Sequence, residues 1–323
     1  MQQEIRFATF NVFNLAPPGV KLYDNLVPCT PEEYEAKLAW TARQLDLLDA
    51  DVIGFQEIFS QGALREVLAR TTKYRNALHL GSDPDPAAER LTPSVALVSR
   101  LPLAEAVSSL QLFPEGISLP AGSRDPDRFT RAPLHAAIAV TPDVTVDVVV
   151  VHLKSRRPDY RNGDTGEDPQ LYALACLRSL IRRGAEAAAL RVLLTEMGRA
   201  RKNPRIVLGD FNDVADSVTT GIVLGIGTPL SERMFDAYQL QRRQNTRNVG
   251  FSSVHEGRYT TIDHILVSEE FNPALPSAIG EVIDVIYLND HLDLELPDAS
   301  DHGQVVARIR LFDETHGLID AGV

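Results

Sequence analysis

Two stretches of this chain repeat one order of elements, and that order restricts the fold more than any single residue does. In the first, an apolar strand-like run from Ile5 to Phe10 stops at Asn11; a helix follows, and a second run, Asp51 to Phe55, stops at Gln56-Glu57. In the second, Val144 to Val151 stops at His152; a long helix follows, and Ile206 to Leu208 runs into Gly209-Asp210. Each half delivers one polar residue and one acid from the ends of two strands. Identity between the halves is negligible, so the repeat is one of architecture. It predicts two packed β-sheets with helices outside and the polar strand ends gathered along one edge.

Local signals place the helices. Thr30-Pro31-Glu32-Glu33 is a capping box with proline at the first helical position. Tyr34, Leu38, Thr41, Leu45 and Leu48 then recur at helical spacing and form one buried stripe. Ser60 caps a short helix carrying Leu64, Val67 and Leu68. Leu171 to Arg201 reads as a long helix with Leu174, Leu177, Ile181, Ala185, Ala188 and Val192 on one face. Ser94–Ser99, Leu134–Val140, Ile262–Val267 and Gln304–Leu311 read as strands, and the β-branched run Val144–Val151 as a central buried one. Residues 81–93, 114–133 and 155–169 are loops by composition.

No linker divides the 323 residues, so one domain spanning 1–323 is expected, with an insertion at about 155–201. No apolar run approaches the ~20 residues of a membrane helix. The start Met1-Gln2-Gln3-Glu4 has neither the basic nor the apolar segment of a signal peptide, which points to a cytoplasmic chain. A secreted chain trimmed of its leader would read the same way. Cys29 and Cys176 are too few for a disulfide framework and read as buried free thiols. The net charge of −12 argues against charge-driven nucleic-acid binding, although acids that hold a metal inflate that count. Basic residues still cluster at Lys154, Arg156, Arg157 and Arg161; at Arg199, Arg201, Lys202 and Arg205; and at Arg242, Arg243 and Arg247. Each cluster reads either as a solvated surface or as part of a binding track.

Several strand ends carry residues suited to phosphoester chemistry. Hydrolysis at neutral pH needs charge neutralisation, a positioned water, donors for the phosphate and help for the leaving oxygen. Asp210 and Asn212 in Gly209-Asp210-Phe211-Asn212-Asp213 face the same way in extended chain, a carboxylate beside an amide. The same pentapeptide also reads as an Asx turn closing a strand. Thr261-Ile262-Asp263-His264-Ile265 embeds a polar pair in an apolar strand, which is costly unless each partner is paired. Ser300-Asp301-His302-Gly303 opens the last strand; one Asp to orient a His and another beside it make an orienter, base and ligand set. Alone, an Asp-His pair in a turn needs no catalytic role.

Taken in order, Thr9-Phe10-Asn11, Gln56-Glu57, Gly209-Asp210-Phe211-Asn212, Ile262-Asp263-His264 and Ser300-Asp301-His302 resemble the signature blocks of the endonuclease/exonuclease/phosphatase superfamily. The resemblance runs from Ile5 to about Leu311. It implies an α+β fold like that of deoxyribonuclease I: a four-layer α/β sandwich of two packed mixed β-sheets flanked by helices. It also implies a phosphodiester hydrolase dependent on magnesium or manganese (Mg2+ or Mn2+). Glu57 matches the principal metal ligand, with Asn11 and Asp301 completing or flanking the metal site. Asp210 matches the residue that orients or deprotonates the attacking water, and Asn212 one that contacts the scissile phosphate. His302 matches the catalytic histidine, oriented by Asp263; which of Asp210 and His302 is the base stays open. His152, in Val151-His152-Leu153-Lys154-Ser155, matches a histidine near the leaving group, and Arg131 an arginine that contacts phosphate.

The branch is narrowed by the same blocks. Apurinic endonucleases lack the histidine at His152, and the 5-phosphatases carry an arginine where this chain has His264. The His-Leu-Lys-Ser block and the insertion resemble bacterial extracellular-nuclease-type proteins. The expectation is therefore a nuclease acting on DNA, with basic residues of the insertion extending a nucleic-acid track and no obligate protein partner. A phosphoesterase of the same fold acting on a lipid or small phosphoester is the alternative. A catalytically silent binding module is the alternative of another class, and the presence of Glu57, Asp210, Asn212 and His302 argues against it.

Overall fold

The computed structural model describes residues 3–312 except 24, 85–90, 121–125, 162–163, 244–249 and 295. Arg247 and parts of the three loops therefore lie outside the described residues. Strand β1 (Glu4–Leu15) leads through helix α1 (Pro31–Leu48) to β2 (Val52–Ile58), and then come α2 (Gln61–Arg70), β3 (Leu78–Gly81) and β4 (Ser94–Ser99). The second half holds β5 (Ser108–Ser109), β6 (Leu134–Ala139), β7 (Thr145–His152), α3 (Pro169–Arg201) and β8 (Arg205–Asp210). After α4 (Val218–Leu224), β9 (Met234–Asp236) and α5 (Ala237–Leu240), strands β10 (Ser253–His255) and β11 (Arg258–Thr260) form a separate ribbon. The chain closes with β12 (Asp263–Ser268), β13 (Gly280–Leu288) and β14 (Gln304–Leu311).

Both repeated halves place their two strands side by side and parallel: β1 beside β2, and β7 beside β8. Antiparallel strands complete each sheet, in the orders β13-β14-β1-β2-β4-β3 and β5-β6-β7-β8-β12-β9. Two mixed sheets result, as the strand pattern predicts. Their facing sides share one apolar core, with Phe7, Val52 and Leu97 from the first sheet against Val148, Val150, Leu208 and Ile265 from the second. Leu38 and Leu45 of α1 cover the outer side of the first sheet at Phe10 and Phe55. Leu190 and Leu194 of α3 cover the second at Val149 and Val207. Four layers follow from three cores.

The helix starts behave as their sequences dictate. Thr30 Oγ1 accepts from Glu33 N–H at 3.2 Å, and Glu33 Oε2 accepts from Thr30 N–H at 2.8 Å, so two otherwise unpaired donors are satisfied reciprocally. Ser60 Oγ accepts from Ala63 N–H at 3.2 Å. Tyr34, Leu38, Thr41, Leu45 and Leu48 are all buried. Among the described residues no helix is long and apolar enough to cross a membrane.

The structure departs from the sequence pattern in the long helix and at the cysteines. The apolar face of the long helix is not the one packed on the sheet: Leu174, Leu177 and Ile181 are exposed, while Ala175, Ser179, Arg183, Glu186, Ala187, Leu190 and Leu194 are buried. Glu186 accepts from the backbone N–H of Thr130 at 2.9 Å and of Lys154 at 2.7 Å, and Arg183 Nε donates to Asp213 Oδ2 at 3.1 Å. Hydrogen bonds to three loops fix the rotation of α3, and apolar periodicity carries no information about them. Cys29 and Cys176 are free thiols but only partly buried. Strands β3 and β13 and the β10–β11 ribbon have no counterpart among the elements expected from periodicity.

The sheets approach closely at Gly54. A Cβ there would lie 2.9 Å from Leu208 Cβ and 3.0 Å from Val150 Cγ1, both on the opposite sheet. Gly54→Ala is therefore expected to lower stability by about 1–3 kcal/mol through overpacking, read as a lower urea midpoint at an unchanged slope. An unaltered midpoint would show that the facing strands yield at no cost.

Candidate functional site

The inter-sheet core and the candidate site share one alternation. Side chains point to the same face at every second residue. Ile5 and Phe7 of β1 fill the core, and the same phase continues through Thr9 to Asn11. Val148 and Val150 lead in the same phase to His152, Ile206 and Leu208 lead to Asp210, and Asp263 precedes Ile265 and Val267. Register then aligns the strand ends, since His152 pairs with Asp210 and Asp210 with Asp263 across β7, β8 and β12. Gly209 allows this closeness: a Cβ there would stand 2.2 Å from the Val151 carbonyl oxygen.

Asp210, 1% exposed, is the meeting point. Its Oδ2 accepts from Asn11 Nδ2 at 3.1 Å and from Asn212 Nδ2 at 3.2 Å. His152 Nε2 lies 3.3 Å from the same oxygen and His302 Nε2 3.9 Å. Asn212 does not share an extended face with Asp210. The strand ends at Asp210, and Asn212 turns back with φ +52°, its N–H donating to Asp210 Oδ1 at 2.7 Å. Here the Asx turn and the carboxylate–amide pair are one structure. His302 Nδ1 lies 2.8 Å from Asp263 Oδ2, which also accepts from Ser252 Oγ at 2.6 Å. His264, on the opposite face, lies 3.2 Å from Asp236 Oδ2 and 2.9 Å from the Asp213 carbonyl and braces the strand from behind.

The first sheet supplies the outer edge. Strand β1 runs past Asn11 through a bulge in which Phe13 and Asn14 are left-handed, and Glu57 on β2 is left-handed as well. Such conformations cost non-glycine residues of order 1–3 kcal/mol each and persist only when neighbouring contacts hold them. Asn14 N–H donates to Glu57 Oε2 at 3.0 Å, and Asn11 Oδ1 accepts from Phe13 N–H at 3.0 Å. Asn11 Nδ2 also lies 3.4 Å from Glu57 Oε1 and 3.4 Å from His302 Nε2, so its amide bridges the acids and the histidine. Ser300 Oγ donates to the Asn11 carbonyl at 2.6 Å and ties the loop bearing Asp301 to this edge. Asp301, 58% exposed in its side chain, stands 3.9 Å from His302 Nε2.

Arg131 closes the other side, with Nη1 donating to the Leu153 carbonyl at 3.3 Å. Arg131 Nε and His152 Nδ1 are both buried without a hydrogen-bond partner. Glu186 holds the loop of Arg131 through Thr130, and the chain just past His152 through Lys154. Arg156 Nε donates to the Asn212 carbonyl at 3.1 Å and its guanidinium pairs with Asp213. Ser252, Ser300, Glu186, Asn14 and Lys37 escape a reading of the sequence. All five act through partners distant in the chain, and the one that lies inside a signature block, Ser300, stands there beside residues that draw the eye first.

Charge is unevenly compensated here. Burial and the nearby charge of Asp263 push the Asp210 carboxyl up to about 7, against the pull of His302 and the Asn212 N–H. Burial lowers the His302 imidazolium, but the charge and hydrogen bond of Asp263, with Asp210 and Asp301, raise it well above the ordinary histidine value. Burial, with Arg131, His302 and Lys154 nearby, holds His152 well below that value and hence neutral. Ligand atoms of Asp210, Asp263 and His302 lie within 4.8 Å of one another, a cluster able to bind a metal ion. Asp263 Oδ1 is buried without a partner, and Asp210 keeps its proton to near neutrality beside two other acids. A site with that excess of hard oxygen donors fits a divalent cation.

Because the Asp263 charge favours the imidazolium, Asp263→Asn should move the His302 titration, followed by NMR, to lower pH. The pair contributes stability fully below the unfolded histidine value of about 6.5 and loses it as pH rises through the folded value. The stability difference from wild type should accordingly be largest near about pH 6 and narrow in alkali. An unshifted titration would break the proposed coupling.

The pattern of the Endonuclease/Exonuclease/phosphatase family matches residues 8–302. A sequence comparison with curated proteins finds no match. Among solved structures, an endonuclease/exonuclease/phosphatase family protein from Bacteroides thetaiotaomicron is 16% identical, covers 99% of both chains and superposes with a TM-score of 0.60. The human nocturnin catalytic domain, solved with bound sulfate, is 16% identical over 96% of this chain and 98% of its own, with a TM-score of 0.60. A mannosyl-6-phosphatase from B. thetaiotaomicron is 17% identical over 94% of this chain and 99% of its own, with a TM-score of 0.57. With the family's pattern reaching from the first strand to His302 on a fold of two helix-flanked mixed sheets, the chain belongs to the endonuclease/exonuclease/phosphatase family.

Proposed function

We propose that this protein is a phosphodiester hydrolase that cleaves nucleic acid, DNA foremost, with Mg2+ or Mn2+ as cofactor. The observation that carries the reading is the surroundings of Asp210: a buried carboxylate with a pKa near neutrality, between two histidines and two amides. A general base works best with a pKa near the working pH. Asp210 thus takes the proton of the attacking water. His302, held as the imidazolium by Asp263, donates to a phosphate oxygen. Asn212 and the unpaired Nε–H of Arg131 hold the phosphate, and neutral His152 serves the leaving oxygen.

Glu57 and Asp301 would hold the ion, with Asn11 beside Glu57 and tied through Ser300 to the loop of Asp301. When bound, it neutralises charge on the phosphate oxygens. The family match and the sulfate bound by nocturnin support phosphoester chemistry in general. A second reading, a lipid or small phosphoester as substrate, is favoured by Arg156, whose guanidinium is engaged with the Asn212–Asp213 turn, and by the net charge of −12. The mannosyl-6-phosphatase is a neighbour of that kind.

Activity on plasmid, single-stranded DNA, RNA and bis-p-nitrophenyl phosphate, with and without Mg2+ or Mn2+, tests the proposal. Plasmid cleavage is expected; hydrolysis of the small ester alone would favour the second reading, and no turnover with either metal would sink both. Glu57→Gln should reduce turnover by roughly two orders of magnitude or more at limiting metal, with the fold intact.

The basic residues separate two roles. Arg157→Ala should weaken DNA binding and flatten its salt dependence by roughly one unit for each phosphate that Arg157 neutralises, leaving the small ester unaffected. Arg156→Ala should slow both substrates, because it releases the Asn212 turn. Slower cleavage of DNA alone in Arg156→Ala would return that residue to the polymer track.

A further inference from the structure

The edge that bears Glu57 and Asp301 contains a cation of its own. Lys37, on α1, projects its ammonium between the Phe13 and Trp40 rings, 5.4 and 5.9 Å from their centroids. Its Nζ donates to the Ala299 carbonyl at 3.1 Å, two residues before Asp301. Burial brings the Lys37 ammonium down to about 8, and the nearby charges of Asp301, Glu57 and Asp298 oppose that fall, so it stays charged at neutral pH. One side chain thus joins three separate pieces of the site wall: the helix, the left-handed bulge at Phe13, and the loop leading to Asp301 and His302. An ammonium that faces two rings and donates to a backbone carbonyl has little freedom to swing away.

We propose that Lys37 is the resident counter-charge of this pocket, a positioning residue that weakens its grip on divalent cations and limits it to one ion. The inference rests on the reading of Glu57 and Asp301 as metal ligands. A fixed positive charge close to the ligands repels an incoming dication by Coulomb's law, and partial burial limits the screening of that repulsion. The acids gain a partner that holds their geometry before metal arrives, and the metal binds more weakly than the acids alone would allow.

The chain has one tryptophan, Trp40, against Lys37 and 5.0 Å from the His291 ring. Its fluorescence reports Mn2+ binding without any turnover, and calorimetry gives the stoichiometry. Lys37→Gln keeps a donor for the Ala299 carbonyl and removes the charge, while Lys37→Met keeps the stem and removes both. Both should bind Mn2+ roughly tenfold more tightly, or take up a second ion, and Lys37→Arg should stay within about twofold of wild type. Unchanged or weaker Mn2+ binding in a folded Lys37→Gln or Lys37→Met, judged by circular dichroism and melting, would overturn the proposal. Glu57→Gln in the wild-type background is the control. If it leaves Mn2+ binding intact, the metal assignment itself is wrong and this inference falls with it; if it abolishes binding while the Lys37 variants bind like wild type, only the role of Lys37 fails.

Discussion

The hydrogen bond from Asn11 to Asp210 joins residues 199 positions apart and crosses from one sheet to the other. Asn11 lies where the regular pairing of β1 with β2 gives way to the bulge, and Asp210 ends β8, so the bond forms only when the two sheets are correctly stacked. An unpaired buried carboxylate would cost several kcal/mol, and here amides from both halves share that load. Removing one sheet from this arrangement would leave Asp210 without Asn11 and Glu57 without its bridge to the second sheet. The candidate site is therefore a property of the stacked pair.

Electrostatics in the cleft follow from which groups are buried together. Four acids, Glu57, Asp210, Asp263 and Asp301, gather around one imidazolium and one ammonium. Asp263 is spent on His302, and Ser252 fixes the carboxylate that does so. Asp210 is left facing open chemistry with its proton poised near neutrality. The two histidines diverge for a stated reason: His302 has a carboxylate on its Nδ1, while the Nδ1 of His152 is unpartnered with Arg131 nearby. Identical side chains thereby take opposite charge states.

Helix α3 shows what fixes a helix against a sheet when polar groups are at stake. Its apolar stripe would bury well, yet the helix turns Arg183 and Glu186 inward and leaves Leu174, Leu177 and Ile181 at the surface. Glu186 satisfies two backbone donors beside Arg131 and His152, and Arg183 binds Asp213 next to Asn212. Losing those bonds would strand buried N–H groups at about 1–3 kcal/mol each, comparable with burying a leucine. The crossover that the sequence presents as an insertion is thus the clamp for three site loops.

The sequence alone determined the central strands, the three long helices and the identities at their ends, while β3, β13 and the β10–β11 ribbon left no periodic signal. Strand alternation, the Thr30 capping box and the apolar runs are local, and each works through neighbours within a few residues. For the same reason the polar residues closing those runs, Asn11, Glu57, His152 and Asp210, stood out before any contact was known. Tertiary structure alone decided the rest. It set the register that lines up His152, Asp210 and Asp263, the rotation of α3, the bulge at Phe13, and the partnerships of Ser252, Ser300 and Lys37. These depend on hydrogen bonds and charges between residues far apart in the chain, whose energies exist only once two sheets exclude water between them.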